Sequence, residues 1–133
     1  MRTLKDRLDQ YKNAVDRLEE VIEVYKQNKD QIIVDAMIQR FEFCAELSWK
    51  LLKDYLKHEN VGDFASPRSV MKEAYQQSLI NDGEAWLDML EDRNLTSHTY
   101  DEIVANTIRN NILNKHFKLL KELKEEMEMK IND

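Results

Sequence analysis

Leu4-Lys5-Asp6-Arg7-Leu8-Asp9-Gln10-Tyr11-Lys12-Asn13-Ala14-Val15-Asp16-Arg17-Leu18 opens a seam that continues through Ile22 and Tyr25. The apolar positions 4, 8, 11, 15, 18, 22 and 25 alternate in steps of four and three, the a/d pattern of a helix that buries one stripe against other helices. The spacing predicts a helix over residues 3–28. A free-standing coiled coil would give the same pattern, but the rest of the chain supplies helical partners, so a bundle is expected.

Working outward, the polar stretch Gln27-Asn28-Lys29-Asp30 separates this helix from a second one, Ile32 to His58. Its expected core face is Met37, Phe41, Cys44, Ser48, Leu51, Leu52 and Tyr55. Arg40 lies on the flank of that stripe and reads as a snorkelling or paired structural arginine. Ser66-Pro67 combines an N-cap with proline at the first helical position and starts a third helix over about 67–79, with Val70, Met71, Ala74 and Tyr75 on one face. Asn81-Asp82-Gly83 is a turn, in which Asp82 or Asn81 caps a fourth helix running to about Leu95. Thr99-Tyr100-Asp101-Glu102 matches a capping box and predicts a fifth helix from near Tyr100. Its stripe is Val104, Ile108, Ile112, Leu119, Leu123 and Met127, with the Lys- and Glu-rich C-terminus expected to fray. The expected architecture is all-α: an up-and-down bundle of about five helices around a four-helix core, homodimeric, with residues 1–133 forming one domain.

Composition agrees. Two glycines and one proline in 133 residues are too few for a β-rich or loop-rich fold. No apolar run approaches the roughly 18 residues that span a bilayer. The N-terminal Met1-Arg2-Thr3-Leu4-Lys5-Asp6 lacks the apolar segment of a signal peptide, and the single cysteine has no internal partner, so a cytoplasmic location is expected. A net charge of −6 argues against a broad electrostatic grip on nucleic acid; any RNA-directed role needs a locally basic cleft or a partner that supplies charge.

The stretch that carries chemistry is Arg93-Asn94-Leu95-Thr96-Ser97-His98-Thr99-Tyr100. Trp86, Leu90, Arg93 and Ser97 follow i, i+4, i+7, i+11 spacing, which puts a guanidinium on an apolar stripe, whereas Asp88, Glu91 and Asp92 are expected on the outer face. Such a charge is costly unless paired or kept for a ligand. On one continuous helix, residues five apart diverge, but a break after Leu95 frees Arg93 and His98 to converge. An imidazole accepts a proton near neutral pH, and a guanidinium holds a phosphate bidentately. Together they suit phosphodiester cleavage through the ribose 2′-hydroxyl, chemistry that requires no cofactor and no metal. The spacing alone leaves open a plainer alternative, in which Arg93 pairs with a buried carboxylate and His98 is a loop residue.

The run Gln39-Arg40-Phe41-Glu42-Phe43, then Glu46-Leu47-Ser48-Trp49-Lys50, Ser66-Pro67-Arg68 and Gly83-Glu84-Ala85-Trp86 through Tyr100, resembles the HEPN domain superfamily. Within it, the chain resembles the nucleotidyltransferase substrate-binding protein subfamily. The resemblance implies a dimeric bundle whose arginines and histidines face a shared cleft, and a minimal nucleotidyltransferase as partner. It further implies a toxin–antitoxin pair, in which a metal-independent ribonuclease is silenced by transfer of AMP to the motif tyrosine. Carried onto this chain, Arg93 and Asn94 bind phosphate, Arg93 and His98 are catalytic, and Tyr100 is the acceptor. The alternative it implies is a non-catalytic subunit that binds substrate for the nucleotidyltransferase.

Overall fold

A computed structural model describes residues 3–131, and every regular element among them is helical. The heptad seam forms α1 (Leu4–Gln27), which buries Leu8, Tyr11, Val15, Leu18, Val21, Ile22 and Tyr25. Its first turn is closed by a reciprocal cap between Thr3 and Asp6. The link Asn28–Asp30 is too short for anything but a reversal, so α2 (Gln31–His58) packs back along α1. Arg40 is the structural arginine expected: its Nη1 donates to the Arg17 carbonyl at 2.7 Å and reaches Glu20 at 3.2 Å.

α2 is the central rod and touches every other helix; its Met37, Phe41, Cys44, Leu51 and Leu52 are fully enclosed. Burial pushes the Cys44 thiol up to about 12. Tyr55, expected on the same face, is only half-buried. α3 (Pro67–Gln76) begins at Ser66-Pro67 as the sequence implies, with Ser66 and Ser69 capping each other, but it ends three residues short of the expected 79. Ser78 adopts φ 61°, and that left-handed residue turns the chain so that Leu79 and Ile80 enter the core instead of extending the helix. Tyr75 is 53% exposed, outside the face assigned to it, because its ring lies over Gly83.

α4 (Gly83–Leu95) is capped by Asp82, whose side chain accepts from Ala85 N at 3.0 Å. A 3₁₀ turn, Thr96–His98, follows. The expected capping box at Thr99 does not form. The Thr99 hydroxyl instead donates to the Thr96 carbonyl at 3.0 Å, and Asp101 caps α5 (Glu102–Asn111) by accepting from Ile103 and Val104. A short carboxylate placed directly before the helix outcompetes a hydroxyl that already has an acceptor in the preceding turn.

Nor is the last rod one uninterrupted helix. It winds through a π turn, Ile112–His116, before α6 (Phe117–Ile131). The wider turn shifts the stripe, so that Ile108, Ile112, His116, Leu120, Leu123 and Met127 face the core and Leu119 moves to the flank. The expected fraying is also absent through Ile131; Asn132 and Asp133 lie outside the described residues. α6 is held along α1 by Lys124–Asp16 at 2.8 Å, Lys121–Glu19 at 3.1 Å and a buried bond from the Tyr11 hydroxyl to the Leu120 carbonyl at 2.6 Å. Among the described residues no helix is long and apolar enough to cross a membrane.

Candidate functional site

Trp86, Met89 and Leu90 are buried and seat α4 against its neighbours, which delivers Arg93 to the face of α2. There its Nε lies 3.4 Å from Glu46 Oε2, with both side chains about one-third exposed (33% and 34%). The plainer alternative is thus half right: the arginine has a carboxylate, but a solvated one. No hydrogen bond from the guanidinium to protein occurs among the described residues, so its donors remain available to a ligand. Asn94, beside it, is exposed, and both residues line a groove of about 440 Å³. Glu46 and Trp49 from α2, Arg68 from the start of α3 and Leu90 complete most of its wall. A more capacious groove, about 590 Å³, lies between α3 and the start of α4 and holds none of the sequence candidates.

His98 and Tyr100 form a second pair. Both are exposed, Tyr100 at 86%, and the phenol oxygen stands 3.5 Å from His98 Nδ1 with the rings edge-on. The turn that carries them is fixed at each end. The Thr96 hydroxyl contacts both the Glu42 carboxylate and the Arg93 carbonyl, and Asp101 N donates to the His98 carbonyl at 3.1 Å. Helix α4 therefore does break between Arg93 and His98, but no hydrogen bond, ion pair or ring contact joins those two residues within the described chain. Ser97, the last member of the stripe, is exposed on the turn.

Sequence reasoning missed His116. It is 1% exposed, stacks on Phe41 at 5.2 Å, and its Nε2 lies 2.7 Å from Asp92 Oδ2. A carboxylate only accepts, so Nε2 carries the proton in the neutral ring; Nδ1 is buried without a partner. Burial lowers the pKa of His116, with the hydrogen bond and charge of Asp92 pulling it back up in part. Asp92 also accepts from Asn111 Nδ2 at 2.9 Å. It is therefore not on the outer face where the sequence reading put it. It ties α4 to the π turn one residue before Arg93. A sequence signal existed: His116 is four residues after Ile112 and four before Leu120.

A family model described as "Nucleotidyltransferase substrate binding protein like" matches residues 6–129. The chain belongs to this family. Among relatives, it is 37% identical over 79 residues to a probable ribonuclease HepT of Haemophilus influenzae, an alignment covering 56% of this chain and 53% of that protein. The match thus spans about half the length of that curated relative. A solved Haemophilus influenzae structure, described as revealing the fold of a substrate binding domain of a nucleotidyltransferase, is 26% identical with a TM-score of 0.80, over 90% of this chain and 98% of that one. A tri-AMPylated Shewanella oneidensis HEPN toxin, solved in complex with MNT antitoxin, shares the fold at a TM-score of 0.75 and 18% identity, over 95% of this chain and 96% of that one. The family fold is the all-helical one that the sequence implies.

Proposed function

We propose that this chain is a HEPN-type toxin: a metal-independent ribonuclease neutralised by a cognate minimal nucleotidyltransferase, which transfers AMP to Tyr100. The observation that carries the reading is the exposed pair of Tyr100 and His98, 3.5 Å apart beside a turn that is otherwise tied down. In the cleavage step His98 takes the proton of a ribose 2′-hydroxyl, whose oxygen attacks the adjacent phosphorus. Arg93, with Asn94 beside it, holds the non-bridging oxygens as charge develops; the bond from phosphorus to the 5′-oxygen breaks, leaving a 2′,3′-cyclic phosphate and a 5′-hydroxyl whose proton comes from water. An AMP on the Tyr100 oxygen would put a bulky anion beside His98, covering the imidazole and repelling RNA phosphates. Because no hydrogen bond, ion pair or ring contact joins Arg93 and His98 among the described residues, the working site is proposed to be completed in a homodimer, where two copies face one cleft. The protein acts in the cytoplasm on RNA and requires no cofactor.

Cleavage of total RNA in EDTA by the purified protein, beside His98→Ala, tests the proposal; cleavage that vanishes in the variant is expected. Equal cleavage by both proteins would remove His98 from the mechanism. A second reading, a non-catalytic subunit that presents substrate or itself to the nucleotidyltransferase, is favoured by the net charge of −6. Absence of cleavage with Tyr100 unmodified by intact mass would select it.

A further inference from the structure

The groove beside Arg93 has more cation than the cleavage step needs. Arg68, at the start of α3, lines it together with Arg93, is exposed, and makes no ion pair or hydrogen bond among the described residues. Trp49 on the facing wall has an indole N–H that is buried without an acceptor. Two guanidinium groups with open donors and an aromatic wall, in about 440 Å³, match what a nucleotide asks of a site: charge for its phosphate and a flat apolar surface for its base. Glu46 and Glu91 also line the groove, and Glu46 faces Arg93, so an incoming phosphate must displace or share that pairing. His98 is not part of the wall, which puts proton transfer outside the groove and a neighbouring nucleotide inside it.

We propose that this groove is a second nucleotide subsite, in which Arg68 holds the phosphodiester next to the scissile one that Arg93 holds in single-stranded RNA. The assignment rests on the ribonuclease reading above. Arg68 acts as a positioning residue, fixing which phosphate reaches His98.

The test uses the His98→Ala protein to measure binding without cleavage, by fluorescence anisotropy of labelled A6, C6 and U6 RNA. Adding Arg68→Ala should weaken all three about tenfold and lower the slope of log K against log salt by about 0.7, the value of one lost phosphate contact on a single strand. Arg68→Lys should recover part of both. In the cleaving protein, Arg68→Ala should raise KM about tenfold, with the loss carried by KM rather than kcat. Unchanged affinity and salt slope in Arg68→Ala would overturn the subsite while leaving the ribonuclease standing. Arg68-dependent binding by a wild-type protein that cleaves nothing would support the subsite and sink the ribonuclease. Arg68-dependent binding of AMP as tight as that of RNA would overturn the assignment to a polymer.

Discussion

Lowering the pH from 6.5 to 5.5 should destabilise this protein through one side chain. His116 is enclosed, its Nδ1 has no partner, and burial holds its pKa below the ordinary 6.5 despite the opposing pull of Asp92. As the pH falls, the unfolded chain therefore takes up a proton before the native state does. The stability contributed by the neutral ring is present above 6.5 and is lost as the pH drops toward the native value. The ceiling on that loss is about 1.4 kcal/mol per pH unit for one proton, or about 5 °C in Tm for a domain of this size. The attraction of Asp92 keeps the actual loss under the ceiling. Thermal or urea unfolding at half-unit steps from pH 7.5 to 5.5 measures it, with His116→Gln as reference, since a glutamine amide can still donate to Asp92 without titrating. The wild-type curve should slope and the variant's should be flatter. A parallel slope in the variant, or a flat wild type, would refute the argument; the latter would mean that the native ring sits protonated against Asp92.

Arg93→Leu should change stability by no more than about 1 kcal/mol, because the pair it breaks is exposed and unaligned, while RNA cleavage falls sharply; a loss of several kcal/mol in urea unfolding would make Arg93 structural. Mixed with the cognate nucleotidyltransferase and ATP, the wild-type chain should gain the mass of one or more AMP units and Tyr100→Phe none. Modification that persists in the variant would move the acceptor elsewhere. Cys44 should resist a thiol reagent at pH 8 in the native protein and react in urea, given a buried thiol pushed to about 12; fast native labelling would show that the core around Phe41 opens readily.

Local signals were legible and competing ones were not. The seam of α1, the Ser66-Pro67 start and the capping turn Asn81-Asp82-Gly83 each rest on neighbours in sequence, and each is found where the residues imply, with Asp82 rather than Asn81 as the cap. Thr99 was the cap that the motif implies for α5, but Asp101 takes that place, and the outcome turned on the Thr96 carbonyl three residues before Thr99. The Arg93 to His98 break was readable from the same stretch, whereas Glu46 as the partner of Arg93 depends on where α2 passes. Asp92 was placed outward because helical periodicity counts angle but cannot see the histidine that the π turn brings to it.

That turn also decides where the last rod can lose a residue. Most single-residue deletions in a surface helix are absorbed at its nearer end. The π turn carries one residue more than ordinary winding, so a one-residue deletion within Ile112–His116 would restore that winding and leave everything downstream in phase. A deletion between Phe117 and Leu120 would instead rotate everything downstream by about 100°. Leu120, Leu123 and Met127 would then swing off the core together, Tyr11 would lose the Leu120 carbonyl, and the Lys121 and Lys124 clasps to α1 would come apart at once. Homologous chains aligned to this one should therefore tolerate a one-residue gap across this turn far better than one within α6, and a gap in α6 would mark a differently phased bundle.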